Sequence, residues 1–430
     1  MNVNNQLYPF LLLILMVAAF FHVQIVVLAI PVIIIAIPMK QRLAAIKTAR
    51  PFVFLLVPVI LGLIVGYKNS TYLILKDFYY FLIPVVFILS GIVLACRLSV
   101  EMFLKTLVYA GVLISILVTA VSISYMGFRA LVDPYSAHYA IGIVGTPVPP
   151  VALACLLFCK KFNVKLFRPF WFTVFTAANA FGVYMFASRT YFVIMVCFVM
   201  LLVVDKIKRI WIMPTVFMLI MVLALIPSDL FKTKTSETFM GKLLGSFNEL
   251  KMGDYNTEQD INIKYRGYES FMALKGYAEG GTADWIFGGL GKLVDLKTFV
   301  RLGEDTDFQY IPVLHNGWLY ILIKTGIMGV LTYLLTFFGL ITSTWRRYAN
   351  ANERPAIRLF GALIIGSVMS LMLTNYIVTS FFNTEMGIVM ITLGYSYVNF
   401  KSLVFRLEER KKATILKYEQ ALALKLEQVY

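Results

Sequence analysis

The chain has 430 residues, of which 60% are hydrophobic and only 14% charged. Soluble domains carry roughly 25% charged residues, so this balance, with a mean hydropathy of +0.80, excludes an ordinary soluble globule and points to a membrane protein. The net charge of +16 serves as a topology signal and requires no nucleic acid partner.

An apolar run needs about 20 residues to cross a roughly 30 Å hydrocarbon core. The opening stretch 7–39 carries no formal charge and is 33 residues long, too long for one comfortable span and short for two. A tight pair turning near His22 and Gln24 gives twelve spans in all, one tilted span gives eleven, and twelve is the reading adopted. No basic segment precedes the run, so it reads as a retained span and not a cleaved signal peptide. Further runs lie near 51–66, 78–96, 106–126, 139–159, 169–187, 190–204, 210–227, 316–342, 359–380 and 386–400. Pro147, Pro149 and Pro150 fall within the run at 139–159, where proline removes a backbone donor and kinks a helix.

Charge placement orients these spans. Lys40, Arg42, Lys47 and Arg50 share one connection, Lys160, Lys161, Lys165 and Arg168 another, Lys206, Lys208 and Arg209 a third, and Arg346, Arg347, Arg354 and Arg358 a fourth. With alternating spans all four fall on one side, as does the tail after Phe400, and the positive-inside rule makes that side cytoplasmic. Lys68, Lys76 and Arg129 fall on the other side, against the trend. The tail, residues 401–430, reads as a charged amphipathic helix on the cytoplasmic face. The chain thus divides into N-terminal membrane helices 1–227, an outer loop 228–314, C-terminal membrane helices 315–400 and the tail. Cys96, Cys155, Cys159 and Cys197 all lie outside the loop, so no disulfide framework is implied. Cys155 and Cys159, with no His or carboxylate nearby, read as packing residues and not as a metal site.

The outer loop is 87 residues long and holds 13 of the 23 acidic side chains. Aromatic residues and helix-like stretches such as YRGYESFMALKGYAE predict a small folded cap of two or three helices. His315 and Asn316 stand where this loop meets the span WLYILIKTGIMGVLTYLLTFFGLIT, which places a titratable imidazole under the cap with a polar neighbour beside it. The plainer reading is a histidine that only solvates a helix end. Residues 169–204 would stretch about 54 Å as one helix, so they must reverse, and Ser188-Arg189-Thr190 is the natural turn. An arginine there is costly unless it faces protein, water or an anion; snorkelling to headgroups is the alternative. Arg266, in Tyr265-Arg266-Gly267-Tyr268, offers the planar donor fork that matches phosphate oxygens, although a surface ion pair would explain it as well. FGGLGK at 287–292 lacks the Ser/Thr and the spacing of a nucleotide loop and reads as a tight turn with close backbone approach. Lys324 lies on the opposite helix face from His315, about 13 Å deeper, and needs a partner that the sequence does not name. Gly326 and Gly329 come round to the histidine face and permit close approach of a helix or lipid chain.

Taken together, Ser188-Arg189 opening a span, Arg266 in the long loop, and FGGLG at 287–291 followed by HNGWLYILIKTGIMG at 315–329 resemble the O-antigen ligase and polymerase family of bacterial envelope enzymes. The resemblance covers about residues 170–400, and one departure is Lys324, where that family often has an acid. It implies an all-α polytopic membrane fold of the GT-C glycosyltransferase type in the bacterial inner membrane. It also implies transfer of an undecaprenyl-diphosphate-linked glycan to a glycan or lipid A core acceptor at the outer face, with no cofactor or metal. Arg189 and Arg266 would then bind the diphosphate, with Asn316 beside them in the substrate site, and His315 would orient or deprotonate the acceptor hydroxyl. The rival class is a polysaccharide flippase or secondary transporter, which favours substrate groups near the midplane and matching halves.

Overall fold

The computed structural model describes residues 4–37, 42–141, 145–203, 261, 264–301, 307–351 and 354–427. The predicted span at 210–227 and the loop up to 260 lie outside them. The described chain is mostly helical. The opening stretch folds as two helices, α1 (Asn4–Phe20) and α2 (Gln24–Ala36), separated by a turn in which His22 takes a positive φ of 56°. Next come α3 (Arg42–Val53), a single 3-10 turn, and α4 (Val57–Val65), then α5 (Thr71–Arg97) and α6 (Val100–Met126), which Ser99 caps by accepting from the Met102 amide. The short α7 (Pro134–Ile141) precedes α8 (Val148–Lys161), α9 (Pro169–Phe186) and α10 (Arg189–Val203). Two cap helices, α11 (Tyr265–Ala278) and α12 (Thr282–Phe287), lead to antiparallel strands β1 (Val294–Arg301) and β2 (Asp307–Ile311). The chain ends in α13 (Gly317–Ala349), α14 (Pro355–Val378) and α15 (Gly387–Glu427). Among the described residues six helices are long and apolar enough to cross a membrane: Lys47–Val65, Thr71–Arg97, Val100–Leu131, Gly317–Ala349, Pro355–Val378 and Thr384–Ile415.

Two expectations change. Pro149 and Pro150 do not kink a span; they occupy the first turn of α8, where the missing N–H has no intrahelical acceptor to lose. The tail is helical and continuous with the last apolar run, since α15 extends unbroken through 41 residues into the charged segment. The cap contains a hairpin as well as helices: Val294, Leu296 and Val300 are buried while Lys297 and Phe299 are exposed, the alternation expected of a half-buried strand.

The core forms around α5, α14 and α15. Helices α5 and α15 run parallel and touch backbone to backbone, since a Cβ on Gly91 would lie 2.2 Å from the Ile391 carbonyl and one on Gly394 2.1 Å from that of Ile88. Small residues permit such approach between membrane helices. Tyr395 stacks on Phe103 at 3.7 Å and donates to the Leu98 carbonyl at 3.0 Å.

The two ends of the bundle differ. At one end Lys161 donates to the carbonyls of Leu201 and Leu202 that close α10. There Arg358, near the start of α14, lies 4.8 Å over the Phe162 ring that follows α8. The C-terminus of α10 and the N-terminus of α14 therefore share this basic end. The opposite end holds the start of α10, the C-terminus of α14 and the cap.

Candidate functional site

The cap is seated by backbone contacts. The Leu290 amide donates to the Gly62 carbonyl at 3.0 Å and the Gly289 amide to that of Ile323 at 3.2 Å, while Asn69 Nδ2 donates to the Leu290 carbonyl at 2.7 Å. Gly326 interrupts α13 with φ 64° and ψ −169°, a conformation open in practice to glycine alone. A Cβ there would lie 2.3 Å from the Ile286 carbonyl. Of the two neighbours expected at Gly326, another helix or a lipid chain, it is a helix that approaches, the end of α12 in the cap. At Gly329 the tight neighbour is Thr325 of the same helix, whose Oγ1 would lie 1.8 Å from an added Cβ.

Below this seat lies the partner of Lys324. Its Nζ meets Asp77 Oδ2 at 2.7 Å, with both side chains no more than 2% exposed. Asp77 also accepts from Tyr320 Oη at 2.6 Å and from the Gly291 amide at 2.6 Å, and Lys324 donates to the Lys292 carbonyl at 2.5 Å. Two of these contacts come from the cap, so the ion pair ties α5, α13 and the 291–292 turn into one unit.

His315 sits above, at the entrance to α13. Its backbone amide donates to Glu269 Oε1 at 3.0 Å and its Nδ1 lies 2.9 Å from Oε2. Glu269 belongs to α11 and its side chain is 2% exposed, against 48% for that of His315. Tyr265, one turn earlier on α11, meets the imidazole edge-on at 5.9 Å. Burial, and next the Glu269 charge, push the Tyr265 phenol above its ordinary range, so it remains a neutral wall. From the other side Thr379, in a left-handed conformation after α14, places Oγ1 2.8 Å from the Leu314 carbonyl and 2.9 Å from that of His315. Asn316 caps α13, its Oδ1 accepting from the Trp318 and Leu319 amides. Its oxygen is thus spent on fixing the helix start, which leaves only the amide group to face a substrate.

Arg266 stands on α11 three residues before Glu269, about 60° around the helix, and is half-buried. Arg189 opens α10 two residues after Ala187, whose φ of 44° ends α9 at the reversal read from the sequence. Because α10 and α14 are antiparallel, Arg189 lies at the same end of the bundle as Thr379. Both arginines are engaged within the protein. The structure thus brings His315 into direct contact with the helix carrying Arg266, with Asn316 next in the chain, and places Arg189 toward the same end of the bundle on a helix that packs against α14. Glu269 is the residue that the sequence reading missed. Of the other histidines, His22 lies near Glu385 and His138 lies on α7.

As a carboxylate Glu269 can only accept, so Nδ1 of a neutral imidazole carries the proton and Nε2 keeps a free lone pair on the exposed side of the ring. That arrangement can take a proton from a hydroxyl placed against it. Compared with known proteins, the chain matches no family model and no curated protein.

Proposed function

We propose that the chain is a membrane glycosyltransferase that moves a glycan from an undecaprenyl-diphosphate donor to an acceptor hydroxyl at the outer face of the bacterial inner membrane. It would act as an O-antigen-type ligase or polymerase, with about twelve spans in a GT-C-type fold. The observation that carries this reading is the Glu269–His315 pair, a buried carboxylate fixing an accessible imidazole at the seam between cap and membrane helices. In the reaction the acceptor oxygen attacks the anomeric carbon and its proton passes to His315 Nε2. The bond from that carbon to the diphosphate oxygen breaks, and the electron pair leaves with the diphosphate. Arg189 and Arg266 offset the charge that develops there, so the step needs no metal.

The gathering of Lys and Arg at the end away from the cap supports this orientation, since the positive-inside rule makes that end cytoplasmic. The observation that favours a carrier instead is the Asp77–Lys324 pair, because ionisable groups at membrane depth mark transport pathways. Its satisfaction by the cap backbone suits a structural tie better.

Reconstitution with a purified undecaprenyl-diphosphate oligosaccharide and either acceptor tests the proposal. Products of increasing repeat number identify a polymerase, and glycan on lipid A core a ligase. Transbilayer movement of the lipid with no product overturns both. Replacing Arg189 or Arg266 by Lys keeps the charge but loses the bidentate fork, and should lower turnover by roughly tenfold or more, the worth of about 1.4 kcal/mol in the barrier.

A further inference from the structure

At the basic end, past the far end of α13 from His315, the start of α14 and the extended part of α15 enclose a groove of about 740 Å³. Its rim carries Arg354, Arg406, Arg410 and Lys411, its floor includes Leu403 and Leu407, and among the described residues its lining holds no acid. The α15 residues 403, 406, 407, 410 and 411 recur at helical spacing, so cations and leucines share one face. A second hollow of about 410 Å³ continues past Arg354 and Lys411 to Arg347. Glu408, on the same helix, is held by Arg347 in an ion pair. Pro355 opens α14 without a side-chain cap, so the partial positive charge of that helix end adds to the rim.

We infer that this groove binds the headgroup of an anionic phospholipid, with the phosphate among the three arginines and Lys411 and the first acyl methylenes on Leu403 and Leu407. Charge and shape both select this occupant. A free phosphate would use the rim and leave the apolar floor empty, whereas a phosphodiester lipid joins an anion to hydrocarbon in that order. The groove also lies where α15 leaves its apolar run, the level at which headgroups stand. Basic pockets between helices at the cytoplasmic face take anionic headgroups on these grounds. The inference does not rest on the glycosyl-transfer reading.

The test is native mass spectrometry of the full chain purified in detergent, with dioleoyl-phosphatidylglycerol and dioleoyl-phosphatidylcholine as probes. The wild type should retain phosphatidylglycerol in preference. Arg354→Gln, Arg406→Gln and Arg410→Gln should each weaken the preference by roughly fivefold, the effect of one cation at an anionic surface, and the triple variant should abolish it. Lys165→Gln with Arg168→Gln, in a separate basic hollow at the same end, should leave it intact. An unchanged thermal midpoint shows that the variants are folded, and the single Arg410→Gln protein is decisive should the triple variant not fold. No headgroup preference in the wild type, a preference surviving in the folded variants, equal loss in the Lys165/Arg168 variant, or release of the lipid by millimolar inorganic phosphate would each overturn the inference.

Discussion

Glu269 uses both carboxylate oxygens on one residue, taking the backbone amide of His315 on one and Nδ1 on the other. This makes Glu269→Gln informative. A glutamine has a single acceptor oxygen, and the backbone N–H, which can only donate, claims it. The glutamine NH₂ then faces Nδ1, which must accept, so the ring proton moves to Nε2 and the base is lost. Glu269→Gln should therefore reduce transfer by about 10²–10⁴-fold, as His315→Ala should, general-base catalysis being of that size. The double variant should be little worse than either single one, because the two act as a unit. His22→Ala and His138→Ala should be comparatively mild. Additive losses in the double variant would separate the two residues, and full activity in His315→Ala would remove the histidine from the mechanism.

At the scale of elements, α13 is the part that most departs from regular helix, and it does so where the cap is seated. Lys324 and Asp77 are each buried and each also bind the 291–292 turn. Breaking a buried ion pair by removing one partner typically costs about 3–5 kcal/mol. Lys324→Met and Asp77→Asn should each lower the thermal midpoint of the purified protein and expose the cap to protease; a wild-type midpoint in either variant would show that the pair holds nothing in place. Gly326→Ala meets two obstacles, the positive φ and the Ile286 carbonyl, and should also loosen the cap. Some of this was legible in the sequence and some was not. The boundary between polar loop and apolar run located His315 and Asn316, and the length of 169–204 forced the turn at Arg189. Asp77 follows Lys76 near the start of an apolar run, where a charged pair reads as solvated; only the fold brings it to Lys324, 247 residues later in the chain, and contacts between such distant residues leave no local trace. Glu269 was one acid among thirteen in the loop. Its spacing of four from Tyr265 set both on one helix face, a signal that periodicity offered but that burial alone could rank. The β1 alternation was likewise present in VDLKTFV, masked by the helical character of the preceding stretch.

For the whole molecule the decisive property is polarity along the bundle axis. The cap, His315 and Arg189 stand at one end, and Lys161, Arg354, Arg358 and the α15 extension at the other. Outside residues 228–314 the chain holds 29 Lys and Arg against 10 acids, and an excess of this kind keeps a segment on the cytoplasmic side. Glycan transfer onto an outer-face acceptor requires the cap end to be extracytoplasmic, so orientation and chemistry stand or fall together. The four native cysteines, of which three are buried and Cys96 is half-buried, are first replaced by serine or alanine to give a silent background. Glu279, exposed on the cap, and Ser402, exposed on α15, then serve as reporters. In spheroplasts an impermeant maleimide should label Glu279→Cys and spare Ser402→Cys until the membrane is permeabilised. Labelling of Ser402→Cys alone in sealed spheroplasts would turn the molecule over, placing His315 and Arg189 in the cytoplasm and the basic groove outside, where neither the proposed donor geometry nor the attraction of an anionic cytoplasmic leaflet could apply.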